Sequence, residues 1–142
     1  MSIDNPTVLN MGAIALVGKE DGCNLAAANT TEKKLCPAVP TGKTFIPDFV
    51  VMDEFDGALG EAVVSFGVYD GNCNEFTGGN ITLTNIGAGY ATDCLIVRPV
   101  PSATPVASCI LVAGEFFAME IQTKEDAAAT CRIKVFGHFD DA

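Results

Sequence analysis

A chain of 142 residues with 49% hydrophobic side chains has length for one domain and enough apolar content for a real core, which excludes a wholly disordered protein. Eighteen acidic residues against eight basic ones give a formal net charge of -10. That balance excludes the phosphate-neutralising surface of a nucleic-acid binder and disfavours an anionic membrane surface.

From the N-terminus, the first basic residue is Lys19 and Asp4 sits near the start, so the apolar run 8–17 lacks the charged flank of a secretory signal. It also lacks an A-x-A cleavage site, and the expectation is synthesis in a cytoplasm without a signal peptide. A first strand is predicted over 12–18. The segment 24–35 (NLAAANTTEKKL) is the one stretch with length for a helix, and its Asn-Thr-Thr centre opposes one. A second strand is predicted over 44–53 (TFIPDFVVMD), where Pro47 restricts it to an edge or a bend because proline cannot donate to a ladder.

The run 61–70 puts Val64, Phe66 and Val68 on one face and leaves a gap at Gly67 on the other. Shorter strands follow over 81–84, 91–100, 108–113 and 115–122. The run 106–114 is broken by Ser108 and closed by Glu115, well short of the roughly 20 residues of a membrane span. The last strand, 129–139, is the most regular: Cys131, Ile133 and Val135 alternate with Thr130, Arg132 and Lys134.

Turn signals punctuate these runs. Asp-Gly occurs at 21–22, 56–57 and 70–71, followed by Gly78-Gly79-Asn80 and Gly87-Ala88-Gly89. The pattern predicts an all-β, single-domain antiparallel β-sandwich, jelly-roll-like, of about seven or eight strands. Its predicted core is Val64, Phe66, Val68, Ile81, Leu83, Leu95, Val97, Phe117, Met119, Ile121, Ile133 and Val135.

The chemistry-bearing residues are sparse. Cys23, Cys36, Cys73, Cys94, Cys109 and Cys131 contain no C-x-x-C pair and the one histidine is His138, so no zinc site is expected. Cys94, Cys109 and Cys131 read as small hydrophobes in strands. Cys23, Cys36 and Cys73 read as loop thiols, with Cys23–Cys36 one of several possible pairings and mostly free thiols expected. Ser65 sits in V-S-F-G rather than G-x-S-x-G, and His138 reads as an edge-strand histidine. The run Asp70-Gly71-Asn72-Cys73-Asn74-Glu75 begins like a calcium loop, but Glu75 and Ile81 stand where that pattern needs Gly and Glu, so it reads as a polar hairpin turn. No catalytic, cofactor-binding or metal-binding residue is assigned.

Four segments, TFIPDFVVM (44–52), VVSFGVYDG (63–71), ITLTNIGAGYAT (81–92) and LVAGEFFAMEIQTKEDAAATCRIKVFGHF (111–139), resemble small virion proteins of tailed bacteriophages. The shared features are an early I-P-x-x-V-V strand, an S-F-G strand, a central L-T turn with a Tyr, a late G-[DE]-x-F strand and a V-F-G-[HY] finish. The resemblance spans 43–139, a β-sandwich core. It leaves 1–42, an N-terminal arm or strand with a cysteine-bearing loop, outside it, the whole forming one compact domain. It implies a non-enzymatic decoration or cement protein that binds the capsid exterior, partners the major capsid lattice and self-associates as a homotrimer, without cofactor, nucleic acid or membrane.

The alternative is a β-sandwich recognition module for a carbohydrate or host receptor. It is disfavoured by the lack of tryptophan and the presence of only Tyr69 and Tyr90 as tyrosine platforms. Candidate contact regions are the Pro47-bearing strand, the segment before it, and the outward Phe136 beside His138.

Overall fold

The computed structural model describes residues 13–57, 59–83, 94–99 and 109–142. In chain order the strands are β1 (Ala15–Asn24), β2 (Glu32–Lys34), β3 (Lys43–Asp56), β4 (Val63–Val68), β5 (Ile81–Thr82), β6 (Leu95–Val97), β7 (Phe117–Thr123) and β8 (Thr130–Asp141). They form two four-stranded antiparallel sheets, a first ordered β1-β8-β3-β6 and a second ordered β2-β7-β4-β5. No helix occurs among the described residues; 24–35 is a turn followed by β2.

One rule governs the pairing. β4 pairs with β5, β3 with β6, β2 with β7 and β1 with β8. The chain is one long hairpin that turns between β4 and β5 and is rolled into two layers, closed by the β3–β8 and β4–β7 pairs. This is a jelly-roll β-sandwich. Residues N-terminal of 43 supply the edge strand of each sheet. The two edges meet across the sandwich: Gly18 packs under Leu35 and Cys36, and Lys33 Nζ lies 3.1 Å from Glu20 Oε1.

β8 forms as its alternation predicts, with Cys131, Ile133 and Val135 buried and Arg132, Lys134 and Phe136 half-buried on the outside. It lies between β1 and β3, so His138 stands on an interior strand and not at an edge. β3 is also interior, yet β6 faces only Val50–Met52, and at Pro47 a bulge shifts the register between Pro47 and Phe49. Proline is accommodated by the bend rather than by an edge. β1 carries a second bulge between Glu20 and Cys23, with Gly22 at φ +61°. The extra residue turns Cys23 inward, where strict alternation from Glu20 would have turned Gly22 inward.

Ten of the twelve predicted core residues are buried, while Ile81 and Leu95 are partly buried and pack against the core. Phe117 is its aromatic hub, stacked on Phe66 with centroids 6.2 Å apart and edge-on to Phe45 and Phe76. Phe45, Val50, Met52 and Phe55 of β3 complete the first sheet's inner face. The predicted strand at 108–113 reduces to a single bridge, Leu111 to Phe45. The Gly87-Ala88-Gly89 turn, Tyr90, and parts of the predicted 81–84, 91–100 and 108–113 strands lie outside the described residues.

The β4–β5 connection folds back over β4. Ser65 Oγ donates to the Cys73 carbonyl (3.0 Å) and accepts from Gln122 Nε2, while Phe76 N–H donates to the Phe66 carbonyl. Gly67 makes this possible, since a Cβ there would collide with the backbone of Asn72, Cys73 and Glu75. The entry to β4 is fixed by buried Glu125. Its carboxylate accepts from the backbone N–H groups of Gly60, Glu61 and Ala62 at 2.7–3.1 Å.

Candidate functional site

The outer face of the first sheet carries the best-formed surface group. β8 places Phe136 outward, and the β3 bulge brings Phe49 beside it. The two rings stack 4.8 Å apart at 14°. Arg98, just past β6, sets its guanidinium 5.9 Å from the Phe49 ring centroid, a cation–π distance. Leu16 of β1 pairs in register with Phe136 and is 50% exposed; Ile96 of β6 pairs with Val51 and is 49% exposed. An apolar belt therefore crosses all four strands. At its rim, between β5 and β6, opens a cleft of about 260 Å³ lined in part by Ile96 and Arg98.

Charges frame the belt. Arg132 forks onto Asp53, with Nε and Nη2 at 2.8 and 2.6 Å from the two carboxylate oxygens, and Nη1 reaches Glu54 at 3.1 Å. The Arg132 hydrogen bonds hold the Asp53 carboxyl below its usual range, against the opposing effect of burial. Lys134 adds a longer contact to Asp53 at 3.9 Å. His138 Nδ1 lies 2.6 Å from Asp48 Oδ2. Five of the chain's eight cationic side chains, Lys19, Lys43, Arg98, Arg132 and Lys134, lie on or beside this sheet, among eight acidic residues of its own strands.

Two candidate regions, the Pro47-bearing strand and Phe136 beside His138, are thus brought onto one face; the segment before the Pro47 strand is not part of it. Leu16, Ile96 and Arg98 were not legible as members. Only the β1–β8 and β3–β6 registers bring them there, and nothing local in their sequence marks them.

The other singled-out residues lie elsewhere. Tyr69 packs edge-on to Phe116 in the second layer, and Lys34 Nζ caps both rings at 4.8 and 4.0 Å, occupying the platform a sugar ring would use. In the 70–75 run, the Asn72 carbonyl accepts from Val68 and Glu75, and Asn72 Oδ1 accepts from Asn74 N–H. That run is the tip of the β4–β5 hairpin, and these oxygens serve its own backbone.

All six cysteines are free thiols, but their placement differs from expectation: Cys94 is exposed, and Cys23, Cys36 and Cys73 are buried. Burial pushes the Cys36 and Cys109 thiols up to about 12. Among the described residues no group of three or more His, Cys, Asp or Glu side chains is arranged to hold a metal ion.

No protein-family profile matches the chain, and no curated protein matches it in sequence. The fold is shared with chains of two phage capsid structures. One is the capsid asymmetric unit of cyanophage Pam1, at a TM-score of 0.54 and 12% identity over 89% of this chain and 85% of that one. The other is the acidic stable capsid structure of Helicobacter pylori bacteriophage KHP30, at 0.51 and 12% over 87% and 90%. At such identities the likeness is one of fold, and it extends over most of both chains.

Proposed function

We propose that this protein is a structural component of a bacteriophage virion, a decoration or cement protein that docks on the exterior of the capsid shell and stabilises it. The observation that carries the reading is the jelly roll shared, over 85–90% of each chain, with proteins built into two phage capsids. The outer face of the first sheet is the proposed contact surface. Its Phe49–Phe136 stack and flanking leucine and isoleucine supply the local apolar area that association needs against the overall negative charge. A homotrimer on the lattice supplies avidity to a contact of modest area. The role is non-enzymatic. The single histidine is engaged by Asp48, and Ser65 is buried under the β4–β5 connection.

The test mixes purified protein with undecorated shells of the phage that carries it, reading occupancy by electron cryo-microscopy and shell melting by calorimetry. Saturable occupancy on the exterior with a raised melting temperature supports the proposal. A monomeric protein that leaves shells bare yet binds a glycan array overturns it in favour of a host-recognition module.

A further inference from the structure

Cys23 and Cys131 are partners in the β1–β8 register, both facing the core and both buried. Directly opposed residues of antiparallel strands lie about 4.5–5.5 Å apart between Cα atoms, within the roughly 4.4–6.8 Å that a disulfide spans. The placement is built rather than incidental, because it is the β1 bulge with its left-handed Gly22 that turns Cys23 toward Cys131. We propose that Cys23 and Cys131 form a latent redox site, which peroxide oxidises to a disulfide pinning the edge strand β1 to β8.

The electronic arrangement marks Cys23 as the attacking thiol. A hydrogen bond between the two sulfurs favours the thiolate of Cys23, lowering it, and raises Cys131. In the first step the Cys23 thiolate attacks hydrogen peroxide. An S–O bond forms, the O–O bond breaks, and the departing hydroxide takes up a proton as water, leaving a sulfenic acid. In the second, Cys131 sulfur attacks Cys23 Sγ. The S–S bond forms, the S–O bond breaks, and hydroxide leaves with the Cys131 proton as a second water. Two thiols lose two electrons and two protons; peroxide gains them.

Access comes through β1, which among the described strands is paired on one side only and opens more easily than the interior strands. The site is distinct from the pairing of Cys23 with Cys36 that sequence alone leaves open. Its chemistry is independent of the virion proposal. Only the setting rests on that reading, since a particle leaving a reducing cytoplasm meets oxidant outside.

The test treats the reduced full-length protein with a few equivalents of hydrogen peroxide, alkylates the remaining thiols and maps peptides without reduction. A Cys23–Cys131 linked peptide is expected, with a melting temperature raised by about 5–15 °C and restored by dithiothreitol. In Cys131→Ala the rise disappears and Cys23 is trapped by dimedone as sulfenic acid. Should that variant fold poorly, the wild-type map alone decides. A map linking Cys23 to a different cysteine, or leaving Cys23 and Cys131 both alkylated after Cys94 has oxidised, overturns the proposal.

Discussion

On β8 the outward side chains Arg132, Lys134, Phe136 and His138 stay partly exposed, whereas on β4 the outward Ser65 and Gly67 are as buried as the inward Val64 and Phe66. Both strands alternate, and both show the same inward hydrophobes. The difference lies in what covers them: the outer face of β8 stays partly exposed, and β4 is roofed by the 70–79 connection. Alternation therefore identifies a strand and its inner face, while the size of the outward residues reports the roof. Long, charged and aromatic residues mark an open face; serine and glycine mark a covered one.

The largest test of this contrast is Phe66→Ala, which removes a fully buried ring stacked on Phe117 and should cost about 3–5 kcal/mol in chemical denaturation. Glu125→Gln comes next. It turns an amide donor toward the backbone donors of Gly60, Glu61 and Ala62, and a loss of about 2–3 kcal/mol is expected. Gly67→Ala should cost about 1–3 kcal/mol and speed amide exchange over 72–77, because the new methyl must lift the roof. Unchanged exchange there would mean that the roof does not rest on Gly67.

The open face should behave in the opposite way. Phe136→Ala is expected to cost no more than about 1.5 kcal/mol, the worth of an aromatic pair, while sharply reducing occupancy on shells. Smallest is the effect of the Arg132–Asp53 pair, an ion pair at the surface whose loss should shift stability less than any change above. Because the folded Asp53 carboxyl is held below its unfolded value, this contribution is complete above the unfolded pKa and lost as pH falls through the folded one. Acid titration of Asp53→Asn should lack that part of the decline.

These contrasts also mark what was legible in the sequence. The sheet class, the strand β8 and ten core positions follow from period-two patterning, a local property. The sequence predicts this strand over 44–53, with Pro47 limiting it to an edge or a bend, whereas β3 runs to Asp56 through two bulges set by pairing with β8. Cys23 lies in loop-like sequence beside the Asp21-Gly22 turn signal, yet the same dipeptide forms the bulge that keeps β1 in the sheet. The proposed contact face is half visible in the sequence: Phe136 and Pro47 declare themselves, but Leu16, Ile96 and Arg98 join only through partners far away in the chain. Glu125 carries no local signal at all, since its role is defined by three backbone amides more than sixty positions earlier.

The rolled hairpin has a consequence for how the protein is made. β8 sits between β1 and β3, so the first sheet has an empty central lane until the last strand has left the ribosome. Until then β1 has no sheet partner among the described strands, and the inward residues of β3 lack their principal neighbour. Pairing Ala15 with Gly137 joins strands far apart in the sequence, and such closures are slow. The nascent chain thus carries an unsatisfied apolar surface until β8 emerges, and its arrival completes the first layer in a single event.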